Sequence, residues 1–194
     1  MKKVQKILVL TLVMLFVFSA LAFAQQKVYP IKGEHLGGDM TPVQAYSMLK
    51  EDPEHTFIVD VRTRIEYQDI GHPNGAYNIP WKFYTTETNK KGYKKSLNKN
   101  FAKDLTARFN PETDTLLLLC RSAKRTIAAS TAAVGAGFKA DKVYNVLGGF
   151  EGDKVKDKNS PFSGKRHIGG WRLEGLPWTY KMNSKLMYQP DLKK

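Results

Sequence analysis

The chain contains one cysteine, Cys120, and its neighbours are typical of a reactive thiol. It follows an apolar run, residues 115–119, and precedes a loop with three cations, Arg121, Lys124 and Arg125. A strand, a sharp loop and a helix in this order aim backbone N–H groups and a helix dipole at one point. Such surroundings generally lower the pKa of a thiol and make it nucleophilic. A free cysteine is often just a small buried hydrophobe, but this setting predicts a nucleophile.

The first 24 residues have the pattern of a secretory signal peptide. Three lysines precede an apolar core at residues 7–22, and Ala22 and Ala24 fit a small-x-small cleavage site. A membrane-spanning helix needs about 20 apolar residues, and this core is shorter. We therefore expect cleavage after Ala24 and an exported, soluble protein without a membrane anchor, located in the periplasm of a two-membrane bacterium.

The charge of the chain constrains its partners. Cleavage after Ala24 would remove three lysines and no acids, so the net charge would fall from +13 to +10. A basic protein often binds nucleic acid, but export and the lack of a recognisable motif argue against such a partner. We expect instead a small anionic substrate and an acidic periplasmic protein partner. One cysteine cannot form an internal disulfide, so packing must supply the stability.

Short apolar strands alternate with helical segments along the mature chain. The predicted helices cover the segment between Thr41 and Asp52 and residues 64–70, 101–109 and 123–136. The predicted strands cover residues 56–61, 76–79, 115–119 and 142–147. This alternation predicts an α/β domain with a largely parallel sheet. In such sheets reactive loops lie beyond the carboxyl ends of the strands, which is where Cys120 is placed.

The remaining segments are polar. Residues 25–39 form a lead-in, with a short extended piece at 28–31, and the domain proper covers residues 40–180. The lysine-rich composition of residues 82–99 predicts a long surface loop. The polar composition of residues 153–168 predicts an insertion or a second, flexible loop. Residues 181–194 are expected to be a basic tail.

Four segments, in order, resemble the rhodanese-like sulfurtransferases. They are residues 58–80 (with IVDVR and GHPNGAYNIP), the loop 120–125, residues 146–152 (VLGGFEG) and residues 170–178. The resemblance implies a single rhodanese-like domain, with a five-stranded parallel sheet and helices on both faces. Residues 82–99 and 153–168 would then be basic insertions, and the second would lie near the active-site rim.

The resemblance also implies a mechanism. Cys120 would take the outer sulfur of an anionic donor such as thiosulfate, become a persulfide, and pass the sulfur to a thiol or cyanide. No metal or organic cofactor is needed. The loop residues that would bind the substrate are Arg121, Ser122, Ala123, Lys124 and Arg125.

Other polar residues are interpreted as structural. Asp60 at a strand end is a general-base candidate, but an ion pair of Asp60 with Arg62 is favoured, and Glu66 is assigned the same supporting role. His72 is expected to organise a turn. We predict no metal site, because the other histidines lack ligand spacing: His35, His55 and His167.

Two alternative functions stay open. A phosphatase or arsenate reductase could use a thiolate and an arginine on the same fold, but phosphatase relatives have a loop one residue longer than residues 120–125. A sulfur-carrier or partner-binding module without turnover would also fit, and the basic insertions would suit docking.

Overall fold

A computed structural model describes residues 29–188. The predicted signal peptide, and residues 189–194 of the expected tail, lie outside this range. Within residues 29–188 no helix is long and apolar enough to cross a membrane. The centre is a five-stranded parallel sheet, and the strands in spatial order are Gly38–Met40, Val143–Val146, Thr115–Leu119, Thr56–Asp60 and Tyr77–Asn78. The predicted α/β fold with a five-stranded parallel sheet is thus confirmed.

The bounds of the elements are as follows. The helices are α1 (Pro42–Glu51), α2 (Arg64–Asp69), α3 (Phe101–Thr106) and α4 (Arg125–Gly135), with a 3-10 turn at Ala140–Lys142. The strands of the central sheet are β1 (Gly38–Met40), β2 (Thr56–Asp60), β4 (Tyr77–Asn78), β7 (Thr115–Leu119) and β8 (Val143–Val146). The short strands outside it are β3 (His72–Pro73), β5 (Lys82–Asn89), β6 (Gly92–Leu97), β9 (Asp153–Lys154), β10 (Arg166–Ile168) and β11 (Trp178–Thr179).

The central strand β7 shows why the sheet is covered on both faces. Side chains alternate along a strand, so Leu116 and Leu118 point to one face, where they pack with residues of α3 and α4. Leu117 and Leu119 point to the other face and pack with residues of α1 and α2. The sequence predicted a strand at residues 115–119, and the structure confirms the strand and shows that both of its faces are buried.

Capping residues fix where the first two helices, α1 and α2, begin. Thr41 and Thr63 each cap a helix and form a capping box with the residue three positions on, Gln44 and Glu66 respectively. Both helices were predicted. The helix predicted at residues 101–109 is shorter, because the backbone tightens into a turn after Thr106.

The prediction of a long surface loop at residues 82–99 is wrong. Strands β5 and β6 pair antiparallel as a hairpin, with Asn89 opposite Gly92. Every residue of β6 is exposed. The hairpin therefore shows no half-buried alternation of apolar and polar residues, and that alternation is the usual sequence signal for a strand.

The 153–168 segment is also more ordered than predicted. Strands β9 and β10 pair antiparallel, and a further bridge joins Val155 and Ser163. The lead-in contains strand β1 at the sheet edge, which the sequence analysis missed because its three residues include a glycine and an aspartate.

The end of the described chain packs on the opposite edge of the sheet. The backbone N–H of Asn78 in β4 donates to the carbonyl of Leu186 at 2.8 Å. The buried Tyr188 donates from its hydroxyl to Asp104 at 2.8 Å, and burial together with this bond raises the pKa of Tyr188 to about 12. Residues 186–188 are therefore part of the packed domain and not a loose extension.

Candidate active site

Cys120 lies directly after β7, at the carboxyl end of the central strand, and α4 begins five residues later. Its side chain is buried and unpaired with any other cysteine. The placement agrees with the prediction that a lone thiol would sit between a strand end and a helix start. We call residues 120–125 the cysteine loop.

The cysteine loop turns sharply at Ala123, whose φ of 60° is in the left-handed region. The sequence predicted that the helix would begin at Ala123. The left-handed turn at this residue explains why α4 begins at Arg125 instead. Within residues 29–188, the backbone N–H groups of residues 121–124 donate to no protein acceptor. They therefore remain available, next to the α4 N-terminus, for an anion at the thiol.

A glycine turn, residues 148–152, holds the loop from outside. The N–H of Phe150 donates to the carbonyl of Cys120 at 2.7 Å, and that of Glu151 donates to the carbonyl of Arg121 at 3.0 Å. Gly149 approaches so closely that an added Cβ would lie 2.7 Å from the nitrogen of Ser122. The turn thus binds the carbonyls of Cys120 and Arg121 and fixes the position of the loop.

Glu66 binds Arg125, the last residue of the loop. The two guanidinium nitrogens donate to the two carboxylate oxygens at 2.7 and 2.6 Å. Burial alone would raise the pKa of Glu66, but the hydrogen bonds and charge of Arg125 lower it to about 2. Burial would lower the pKa of Arg125, but Glu66 raises it above its usual range. Glu66 thus supports the loop through Arg125, a partner that the sequence analysis did not identify.

The predicted role of Arg125 in substrate binding remains a prediction. Its terminal nitrogens are bound to Glu66, so its side chain acts on the loop shape first. Arg121 and Lys124 are exposed, Ser122 is half-buried and Ala123 is buried. The two exposed cations are therefore the loop side chains best placed to attract an anion.

Asp60 and Arg62 form a fully buried ion pair, as the sequence predicted. Arg62 donates to both carboxylate oxygens, at 2.6 Å for the shortest contact, and also to the carbonyl of Gly71 at 2.7 Å. Its guanidinium lies 4.3 Å from the ring centroid of Phe150. Because Phe150 binds the carbonyl of Cys120, the ion pair supports the glycine turn.

A buried polar chain behind the thiol was missed. The Sγ of Cys120 lies 3.8 Å from the hydroxyl of Thr126, which donates to the side-chain oxygen of Asn145. The amide of Asn145 donates to Asp39 at 2.6 Å, and Asp39 contacts His35 at 3.2 Å. The only signal in the sequence is Asn145 itself, a polar residue inside an otherwise apolar strand.

The histidines do not form a metal site within the described residues, where no group of three or more potential ligands occurs. His72 is buried, and its Nδ1 donates to the carbonyl of Tyr67 at 2.9 Å. Its ring stacks on Tyr67 at 3.7 Å. The predicted turn-organising role of His72 is confirmed.

A cavity of about 510 Å³ opens beside the cysteine loop. Ser122 contributes the loop side of its wall, and the N-terminal side comes from Pro30 and Lys32. The remaining wall belongs to the 153–168 segment, with residues 153–157, Arg166 and Ile168. Burial, followed by the charge of Arg121, lowers the pKa of Arg166.

A buried cysteine lies between the central strand of a parallel sheet and the N-terminus of a helix, in a loop with free N–H groups, and this arrangement defines the class of α/β domains with a cysteine-based functional site. The chain belongs to the rhodanese-like domain family, whose model matches residues 41–156. Membership supports a sulfurtransferase-type or related cysteine-based function.

Three relatives illustrate the similarity. An uncharacterized protein of Rickettsia prowazekii is 32% identical over 138 residues, which is 71% of this chain and 93% of the relative. Thiosulfate sulfurtransferase 18 of Arabidopsis thaliana is 34% identical over 109 residues, 55% of this chain and 71% of the relative. The crystal structure of Rv0390 from M. tuberculosis is 33% identical, with a TM-score of 0.58, and the match covers 76% of this chain and all of that one.

Proposed function

We propose that the protein is a sulfurtransferase that works through a persulfide on Cys120. The Cys120 thiolate attacks the outer sulfur of a donor such as thiosulfate. The sulfur–sulfur bond of the donor breaks, and sulfite leaves with the electron pair. An acceptor thiolate or cyanide then takes the terminal sulfur, and Cys120 leaves as a thiolate again.

The observation that carries the proposal is the set of free N–H groups in the cysteine loop. A persulfide has its negative charge on the terminal sulfur, one atom beyond Sγ, and needs donors there. The N–H groups of residues 121–124 and the N-terminus of α4 supply them without reorganisation. The exposed Arg121 and Lys124 favour an anionic donor.

Phosphatase chemistry is the weaker candidate. It would need a guanidinium to bind the oxyanion, but both terminal nitrogens of Arg125 are bound to Glu66. A phosphate ester could bind Arg125 only if the partly buried, bidentate pair with Glu66 broke, and breaking it costs free energy. Sulfur transfer does not require this pair to break. The name of the Arabidopsis relative, a thiosulfate sulfurtransferase, also favours sulfur.

Intact-mass analysis tests the proposal. The purified protein is incubated separately with thiosulfate, glutathione persulfide and an aryl phosphate, and Cys120→Ser serves as the matched control. We expect a gain of one sulfur atom from the sulfur donors, reversed by cyanide or dithiothreitol, and no gain in Cys120→Ser. Loading that persists in Cys120→Ser, or hydrolysis of the phosphate without any sulfur loading, would overturn the proposal.

Export to the periplasm and an acidic protein partner also remain proposals. The basic composition supports the partner, and residues 1–24 support export.

A further inference from the structure

The cavity beside the cysteine loop is larger than a small inorganic anion requires. Cavities of about 300 to 1,000 Å³ typically bury organic molecules, and this one measures about 510 Å³. Thiosulfate would fill only a small part of it. The dimensions therefore point to an organic ligand bound beside Ser122 of the cysteine loop.

The charges on the cavity wall select an anion. Four cationic side chains line it, against the two carboxylates of Asp153 and Asp157: Lys32, Lys154, Lys156 and Arg166. Lys32 and Asp153 neutralise each other at a separation of 2.5 Å. An excess of positive charge is left on the 153–168 segment, which forms most of the wall.

Arg166 is the cation that the fold ties to the active site. One guanidinium nitrogen donates to the carbonyl of Gly152 at 2.6 Å, and Nε lies 3.8 Å from the carboxylate of Glu151. The N–H of Glu151 in turn donates to the carbonyl of Arg121 in the cysteine loop. Arg166 is thus half-buried, and Nη1 and Nε of its guanidinium hold it on the glycine turn close to the loop.

We propose that Arg166 determines specificity for an organic sulfur acceptor, a low-molecular-weight thiol that carries carboxylates. This inference rests on the proposed function. Arg166 binds a carboxylate of the acceptor, whose thiol loses its proton to solvent and attacks the terminal sulfur of the Cys120 persulfide. The persulfide bond breaks, Cys120 leaves as a thiolate, and the acceptor becomes the new persulfide.

The binding test needs no sulfur chemistry. Titration calorimetry with S-methylglutathione, a tripeptide with two carboxylates and no free thiol, is run on the parent, Arg166→Ala and Lys158→Ala. Lys158 is an exposed cation of the same segment that does not line the cavity. Loss of a charge-assisted hydrogen bond should weaken binding by Arg166→Ala roughly tenfold or more, with little change in Lys158→Ala.

Three results would overturn the proposal: no binding to the parent, equal binding by Arg166→Ala, or an equal loss in Lys158→Ala. If Arg166→Ala unfolds at lower temperature, Arg166→Gln replaces it, since an amide can still donate to the carbonyl of Gly152. With thiosulfate as donor, the KM for glutathione should rise in the same proportion. If turnover is absent while binding depends on Arg166, sulfur transfer is excluded and the anion site remains.

Discussion

At the scale of single residues, side chains outside the cysteine loop determine its shape. Glu66 fixes the far end of the loop through Arg125, and Asp60 supports the near end through Arg62 and Phe150. Two loop carbonyls and the guanidinium of Arg125 are bound by groups outside the loop, whereas the N–H groups of residues 121–124 donate to no protein acceptor within residues 29–188. The shape of the loop around Cys120 therefore depends on Glu66, Asp60 and Arg62, which lie outside it.

The pair of Glu66 and Arg125 predicts a specific pH dependence of stability. The folded-state pKa of Glu66 is about 2, against an ordinary value of 4.5. A lowered carboxylate pKa stabilises the fold above the ordinary value and loses that effect as the pH falls toward the folded value. We expect Glu66→Gln to lower the free energy of unfolding at neutral pH, on the order of 3 kcal/mol, with the difference from the parent vanishing between about pH 4.5 and pH 2.

Denaturant unfolding at a series of pH values measures this difference. Glu87→Gln is the matched control, because Glu87 forms an exposed pair with Lys94 and exposed pairs contribute little. A parent and a Glu66→Gln variant that lose stability in parallel from neutral pH to pH 2 would contradict the assignment.

The position of Cys120 between a strand and a helix could be predicted from sequence, but the long-range partners around it could not. Strand, cysteine and helix are contiguous along the chain, so Cys120 is recognised from local pattern alone. Glu66 and Arg125 are 59 positions apart, and the link from Asn145 to Asp39 spans 106. Nothing local shows which carboxylate meets which cation, because the packing of the sheet decides it.

At the scale of elements, the glycine turn acts as a clamp on the cysteine loop. Its N–H groups bind two successive loop carbonyls, and Gly149 lies in contact with the loop backbone. The position has a φ of +59°, so two separate demands exclude a side chain. One is conformational and the other is steric.

A comparison of Gly149→Ala with Gly75→Ala separates the conformational contribution from the steric one. Gly75 also has a positive φ, +76°, but nothing lies within 4 Å of its added Cβ. A left-handed alanine costs about 1 to 2 kcal/mol at either position. We expect Gly149→Ala to cost more than Gly75→Ala and also to slow sulfur loading of Cys120, as measured by thermal unfolding and intact mass. Equal losses of stability in the two variants would mean that the cysteine loop moves away from the added Cβ at position 149 and would contradict the steric argument.

At the scale of elements, the buried strands of the central sheet could be predicted from the sequence, and the exposed hairpin could not. The strands β2 and β7 follow apolar runs whose burial is intrinsic to their composition. The strands β5 and β6 pair with each other, and their many lysines leave no clear alternation of apolar and polar residues in the sequence. Lys95 of β6 nevertheless reaches to 3.9 Å from Glu66, so the hairpin adds positive charge beside the cysteine loop.

At the scale of the whole molecule, both edges of the sheet are completed by segments distant in sequence. Strand β1 pairs with β8 at one edge. At the other edge Leu186 binds β4, and Arg108 donates to the carbonyls of Lys185 and Met187 at 3.0 Å. The segment around Leu186 thus covers the β4 edge, and such a cover limits pairing of that edge with other chains.

Tyr188→Ala tests whether the end of the domain contributes to stability. Tyr188 is 7% exposed and packs on Phe83, whereas Tyr93 in the hairpin is 64% exposed. Loss of a buried aromatic side chain should lower the free energy of unfolding by roughly 3 kcal/mol. Tyr93→Ala, the matched control, should change it by under about 0.5 kcal/mol. Urea unfolding measures both, and similar small losses would show that the end segment is only loosely attached.

The contacts that complete the two sides of the sheet also determine when the domain can form during synthesis. Asp39 must meet Asn145, and Asp104 must meet Tyr188 across 84 positions. A growing chain that stops before residue 143 has no β8 on which β1 could pair. Contacts this far apart in sequence slow folding, because long loops must close first. The central sheet and its cover therefore stay incomplete until residues 143–188 have emerged.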